Sequence, residues 1–279
     1  MASPLRWPIA VLALVAIAGP AHSQTRRPPA DRRNFVSCPI VRDTRTVPCW
    51  LAEYQGELYF LGIQTDTSSD WYPPQLGHEV LVEGVVSSGP RVCGGIPLKP
   101  VTTSVMPELN PACGTLLPAE PGIEAPHAER GPGPSSERRA AGTPPRAPAP
   151  PSPPFASRTF VVPFDFDSDV MLLRVTRLME QAVRYAKAVG PARIEVTGYR
   201  GATLLSDGRT IVESPQIAER RATKLGAILR GLGLSPVAVK WKTGPEPADG
   251  AKDAERRRAT VIVTPAGATT VREAAARKP

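Results

Sequence analysis

The stretch TFVVPFDFDSDVMLLRVTRLMEQAVRYAKAVGPARIEVTGY, residues 159–199, decides the fold of this chain because its apolar period changes twice along its length. Thr159 to Phe166 is a short run of Val and Phe and reads as a strand. From Ser168 to Val189, Leu172, Val175, Met179, Ala182, Val183 and Ala186 fall at helical spacing, and Gly190-Pro191 ends the helix. Arg193 to Tyr199 then alternates Ile194 and Val196 with Glu195 and Thr197, which predicts a half-buried strand. Ser214-Pro215 supplies an N-cap and a first-turn proline for a second helix that runs to Gly231 or Gly233. Val237 to Trp241 and Ala259 to Val263 complete a β-α-β-α-β-β order, an α+β sandwich with both helices on one face of a mixed sheet.

Working outward, residues 24–118 read as a second, all-β domain. Phe35 to Val41, Cys49 to Tyr54, Glu57 to Gln64, Glu79 to Val86, Arg91 to Leu98 and Val101 to Leu109 are strand-like runs. Gln55-Gly56, Ser68-Ser69-Asp70, Pro73-Pro74, Ser88-Gly89-Pro90 and Gly94-Gly95 are the turns between them. So many short strands in so few residues predict a small closed barrel. Trp50, Tyr54, Tyr59, Trp71 and Tyr72 read as core before they read as a stacking platform for sugars. His78 has no spaced partner and supports neither a metal nor a general base.

Residues 119–157 separate the two domains with 11 prolines and almost no large apolar side chain. Such a segment cannot offset its own ordering entropy, so it reads as a semi-rigid, partly polyproline tether. Charge divides along the same line. Residues 31–118 hold six Lys/Arg against nine Asp/Glu, while residues 159–264 hold 17 against 12, so the net charge of +8 belongs to the C-terminal domain and the termini. Residues 265–279 form a basic tail.

Arg6 precedes an apolar run from Ile9 to Ala18, and Ala21-His22-Ser23 fits a secretory cleavage site, so residues 1–23 read as a signal peptide. An uncleaved helical anchor is the alternative. No later segment approaches the roughly 20 apolar residues a spanning helix needs, and no cysteine stands at the cleavage site for a lipid anchor. Export implies the periplasm or the outer envelope, and it favours anionic wall polymers or lipid headgroups over nucleic acid as partners of a basic domain. In that compartment Cys38, Cys49, Cys93 and Cys113 predict two disulfides, with three pairings open. Spacings of 11, 44 and 20 residues match no common zinc finger, and no cofactor is expected.

Four motifs carry a family resemblance. Phe164-Asp165-Phe166-Asp167-Ser168, Val196-Thr197-Gly198-Tyr199, Ile217-Ala218-Glu219-Arg220-Arg221-Ala222 and Arg256-Arg257-Arg258-Ala259-Thr260-Val261, in that order over residues 158–264, are similar to the OmpA-like C-terminal domain. The resemblance implies the β-α-β-α-β-β fold and noncovalent docking on peptidoglycan, with an aspartate and an arginine gripping the zwitterionic diaminopimelate of the stem. The family arginine corresponds to Arg221. The family aspartate, three residues after the glycine, is replaced by Gly201 with Arg200 beside it, and the loop through Asp207, Gly208 and Glu213 is longer than the family's. The resemblance therefore implies a stem site of Arg221, Arg200, Tyr199 and Asp207, or the loss of binding and a scaffold role with an envelope protein. A weaker likeness, Gly77-His78-Glu79-Val80-Leu81-Val82-Glu83-Gly84-Val85, resembles the strand-then-glycine corner of oligonucleotide/oligosaccharide-binding (OB) barrels and implies a sugar-binding alternative.

Arg221 can also be placed from the residues alone. At about 100° per residue it lies roughly 60° from the centre of the stripe Ala218, Ala222, Leu225, Leu229 and Leu232, and Arg220 lies far round toward water. A border arginine serves a ligand or lays its stem on apolar surface, and the wheel leaves both open. Arg256, Arg257 and Arg258 read as structural and solvated. Asp165 and Asp167 read as favourable charge for the helix that follows. Without a nucleophile motif, a metalloprotease motif or a phosphate loop, no enzyme is expected.

Overall fold

The computed structural model describes residues 27–64, 73–126 and 155–266. The signal segment, Trp71, Tyr72, most of the proline-rich stretch and the basic tail lie outside the described residues.

The first unit is built from β1 (Arg32–Ser37), β2 (Pro39–Arg42), β3 (Cys49–Tyr54), β4 (Glu57–Ile63), β5 (His78–Val86), β6 (Ile96–Leu109) and β7 (Leu116–Leu117). They form one mixed sheet of order β1-β5-β6-β4-β3-β2-β7, not the closed barrel the sequence predicts. The run expected as a single first strand breaks at Cys38, so that β1 pairs antiparallel with β5 while β2 pairs antiparallel with β3. Two other expected strands merge into the 14-residue β6, because Val92 and Gly95 close a tight bridge just before it. At Gly84 the β5–β6 register shifts, and a Cβ there would stand 2.9 Å from the Leu98 Cβ. Disulfides join Cys38 to Cys113 and Cys49 to Cys93. Each removes loop freedom from the unfolded state of a unit whose core is small, for about 2–4 kcal/mol apiece.

Phe35, Trp50, Tyr59, Val80, Val82 and Leu98 fill that core. Trp50 donates Nε1 to Gln64, the Tyr59 hydroxyl accepts from Arg33, and Tyr54 stacks on Phe35 at 4.8 Å. These rings are spent on packing. The unit also runs past residue 118: Ala125 is buried, Ile123 packs beside it, and Glu120 pairs with the largely buried Arg42.

In the second unit β8 (Arg158–Pro163), α1 (Leu173–Val189), β9 (Ala192–Arg200), α2 (Ile217–Gly231), β12 (Val237–Pro245) and β13 (Arg258–Pro265) follow the expected order. The insertions are β10 (Ala202–Leu204), β11 (Thr210–Val212) and the one-turn α3 (Asp253–Arg256). The sheet runs β12-β9-β13-β8, with β12 parallel to β9 and the other pairs antiparallel. Val175, Met179 and Ala182 of α1 share one core with Ala222, Leu225 and Leu229 of α2 and with Val162, Val196 and Val261 of the sheet, so both helices cover one face. Each fully buried Leu or Val contributes on the order of 1.5–3 kcal/mol. At Gly198 the backbone of α2 lies so close that an added Cβ would run into the Ala218 carbonyl oxygen. Leu232, expected in the apolar stripe, is 45% exposed, because the helix has ended by then.

Both helices begin later than expected. The first has Leu172 as N-cap and the second Gln216, neither with a side-chain cap bond. No side chain caps α1, Asp167 included, and Ser214 does not cap α2. Asp167 instead accepts from the Ser214 N–H at 2.8 Å and its hydroxyl at 2.7 Å. Among the described residues, no helix is long and apolar enough to cross a membrane.

The two units are packed against each other. Leu81, Phe166 and Leu205 form a small core across the boundary, flanked by Val36, Met106 and Ile211. Asn34 of β1 donates Nδ2 to the carbonyls of Leu204 and Gly250, and its N–H donates to Ser206 Oγ. The Phe166 N–H donates to Ser104 Oγ at 2.9 Å.

Candidate functional site

The candidate site grows from the end of β9. Tyr199 and Arg200 lead into a tight antiparallel hairpin, β10–β11, in which Ala202, Thr203 and Leu204 pair with Val212, Ile211 and Thr210. Asp207 sits at its turn, where the Arg209 N–H at 2.9 Å and the Arg209 Nε at 2.7 Å hold its carboxylate. Partial burial works against the charge of Asp207, but these bonds prevail and its pKa lies below the usual carboxylate value. The hairpin returns the backbone beneath α2, and Glu213 follows immediately.

Glu213 and Arg221 are both fully buried and face each other as a fork on a carboxylate. Arg221 Nη2 donates to Glu213 Oε1 at 2.6 Å and Nη1 to Oε2 at 2.9 Å. Two main-chain donors complete the carboxylate, Asp167 N–H to Oε1 at 2.8 Å and Gly201 N–H to Oε2 at 2.6 Å. The remaining guanidinium donors go to backbone carbonyls: Nε to Ser168 at 2.9 Å, Nη1 to Tyr199 at 3.0 Å and Nη2 to Asp165 at 2.9 Å. The Phe164 ring lies 5.0 Å from the guanidinium carbon. Every nitrogen of Arg221 is thus engaged inside the protein, so the arginine that the family resemblance assigns to the stem site has no open donor in this structure.

The other expected site residues do not converge on Arg221 by their side chains. Arg200 donates Nε to the Glu213 carbonyl at 2.6 Å. Tyr199 contributes only its carbonyl, and its ring stacks with Arg258 at 4.4 Å. Asp207 stays with Arg209. Gly201 is small because its neighbours leave no room: an added Cβ would stand 2.8 Å from Arg257 Cγ and 3.3 Å from Glu213 Oε2.

The arginine triplet is solvated only at its ends, where Arg256 and Arg258 are part-exposed, and its middle member is not. Arg256 pairs with Asp249 and Asp253, Arg258 forks onto Glu246 at 2.7 and 3.0 Å, and Arg257 is fully buried on Glu83 of β5. Arg257 Nη1 also donates to Thr203 Oγ1 at 2.9 Å. Burial opposes the charge of Arg257, yet the facing Glu83 carboxylate holds its pKa above the ordinary guanidinium value. In the sequence Glu83 reads only as part of a strand. A charge in the middle of the apolar run Val80–Val86 is the one signal there that it needs a partner.

Beside the Arg221 pair, a recess of about 450 Å³ opens between the units, with Val105 and Met106 on one wall and Asp167, Ser168 and Arg220 on the other. The arginine that faces it is Arg220. Among the described residues, no group of three His, Cys, Asp or Glu is placed to hold a metal ion.

No family model and no curated protein matches the chain. Among solved structures it is similar to the OmpA-like domain of FopA1 from Francisella tularensis subsp. tularensis SCHU S4, at 16% identity and TM-score 0.31 over 39% of this chain and 73% of that one. It is also similar to a putative MotB-like protein from Desulfovibrio vulgaris, at 12% identity and TM-score 0.32 over 39% and 76%. The periplasmic domain of Helicobacter pylori MotB overlaps at 18% identity and TM-score 0.29, over 43% and 83%. Overlaps this slight bear no weight for function, and the fold stands on the strand order and register of the protein itself.

Proposed function

We propose that this protein is a non-catalytic, exported envelope scaffold in which an OmpA-like unit that does not grip peptidoglycan through Arg221 is fixed against a disulfide-stapled β unit. One observation carries the reading: all three nitrogens of the Arg221 guanidinium are bonded inside the protein, two of them to the buried carboxylate of Glu213. An arginine in that state has no donor to offer a wall peptide unless Glu213 leaves. The signal segment and the two disulfides support an oxidising compartment, periplasmic or outer-envelope. The described aromatic residues of the β unit are largely taken up in the core, which counts against sugar binding there. The sheet face of the second unit that the helices leave uncovered carries Arg193, Glu195 and Lys240 and is the surface left for an envelope partner.

The test is retention of the full mature protein on insoluble peptidoglycan, with soluble stem peptide as competitor. The reading expects no retention that the stem peptide releases. Saturable retention that the peptide competes away overturns it, and loss of that retention in Arg220→Ala would move the docking site to the recess between the units.

A further inference from the structure

We infer that this protein contains a carboxylate receptor that its own Glu213 fills. The inference rests on the closed Arg221 pair of the proposed function and goes beyond it in saying what the site would accept once emptied. Four donors converge on the two oxygens of Glu213, two per oxygen, which is the full complement an ionised carboxylate takes. Three of the four come from outside the hairpin that delivers the carboxylate, from the loop after β8 and from α2; the fourth, Gly201, faces Glu213 at the base of the hairpin, where its carbonyl accepts from the Glu213 N–H at 3.2 Å.

The donors are also held in place without Glu213. Three backbone carbonyls, of Asp165, Ser168 and Tyr199, fix the guanidinium from its other sides. Asp167 sits at φ +49°, a conformation costly for a non-glycine residue, and the bonds of its carboxylate to Ser214 hold it there with its N–H turned toward Glu213. Cutting Glu213 back to Ala therefore leaves an anion-sized void surrounded by aimed donors, and a small carboxylate that enters it recovers every bond the side chain made. The ligand class is a single carboxylate: an acidic side chain, the terminal carboxylate of a peptide or a small organic acid.

The occupant is tethered to the other unit. Glu213 ends the β10–β11 hairpin, and that hairpin is bonded to β1 through Asn34, Leu204 and Ser206 and lies beside Glu83 through Thr203. Withdrawing Glu213 requires the hairpin to shift against the β unit, so contact between the units governs access to the receptor.

The experiment uses the full mature protein carrying Glu213→Ala, unfolded thermally and in urea in sodium acetate or formate, with chloride and sulfate at equal ionic strength as controls. The receptor predicts a lowered Tm that acetate and formate raise saturably and chloride and sulfate do not, with wild type unmoved. If the variant does not fold in chloride, refolding yield against acetate is the readout. Glu213→Gln places an amide donor among donors and blocks the void, so it should melt below wild type and ignore acetate. In Glu213→Ala/Arg221→Met the acetate effect should vanish. Equal stability of Glu213→Ala in acetate and chloride, or a Glu213→Gln variant as stable as wild type, overturns the receptor. Acetate rescue combined with competed retention of wild type on peptidoglycan would keep the receptor and reject the scaffold reading.

Discussion

Among the described residues two arginine–glutamate pairs are buried, and they differ in what they join. Arg221 and Glu213 are eight residues apart and lie within one unit, whereas Arg257 and Glu83 are 174 apart and bridge the two. Every guanidinium nitrogen of Arg221 has an acceptor. Arg257 Nε has none, and Asn34 Oδ1 at the same boundary is also buried without a partner. A buried pair repays its desolvation only when the surrounding polar groups are satisfied. The first pair is thus a finished local network, and the second is an incomplete joint whose value is in fixing two units together.

The comparison can be broken most forcefully at the finished pair. Arg221→Ala strands a buried carboxylate and three carbonyls, so it should cost the upper part of the roughly 3–5 kcal/mol typical of a broken buried pair, measured by urea unfolding of the full protein. Arg257→Ala should fall near the lower end, at about 3 kcal/mol, because one of its nitrogens is already unpaired. Replacing both partners of the bridge, as Glu83→Leu with Arg257→Met, should recover most of that loss, and failure to do so would mean the joint stabilises as a charge pair after all. Gly201→Ala sharpens the relation between the two pairs, since its Cβ presses on Arg257 and Glu213 together; a cost of about 1–3 kcal/mol is expected in the same assay.

The smallest effect lies at the surface end of the arginine triplet. Burial would raise the pKa of Asp249, but the N–H groups of Lys252 and Ala251 and the Arg256 guanidinium bring it down to about 2. A depressed carboxylate stabilises the fold above its unfolded pKa near 3.9 and loses that contribution as pH falls toward 2. Wild type should therefore lose more stability than Asp249→Asn between about pH 4 and pH 2 in parallel acid titrations followed by circular dichroism. Identical acid profiles would remove Asp249 from the account.

Local pattern makes much of this legible. The change of apolar period along residues 159–199 gives the strand, helix and strand that are observed, and Gly190 and Gly233, at φ +76° and +85°, follow the two helix ends. Four cysteines in a chain whose first residues read as a secretory signal predict two disulfides, though only the folded structure pairs them. The state of Arg221 is not legible. A helical wheel reports its angle to the apolar stripe but not what covers it, and the cover is a hairpin folded back from a loop without strong strand signal. Glu213 is visible in sequence only as a loop residue able to fold back, not as the arginine's own partner. The bridge between units is hidden for another reason: a proline-rich stretch reads as separation, and nothing in sequence places Glu83 beside Arg257.

The most direct measurement is the arginine Nε–Hε NMR spectrum of the full mature protein, titrated with a soluble diaminopimelate-containing stem peptide. The account predicts a slowly exchanging Arg221 signal that keeps its position at saturating peptide. A saturable shift of that signal, with faster exchange, would contradict it.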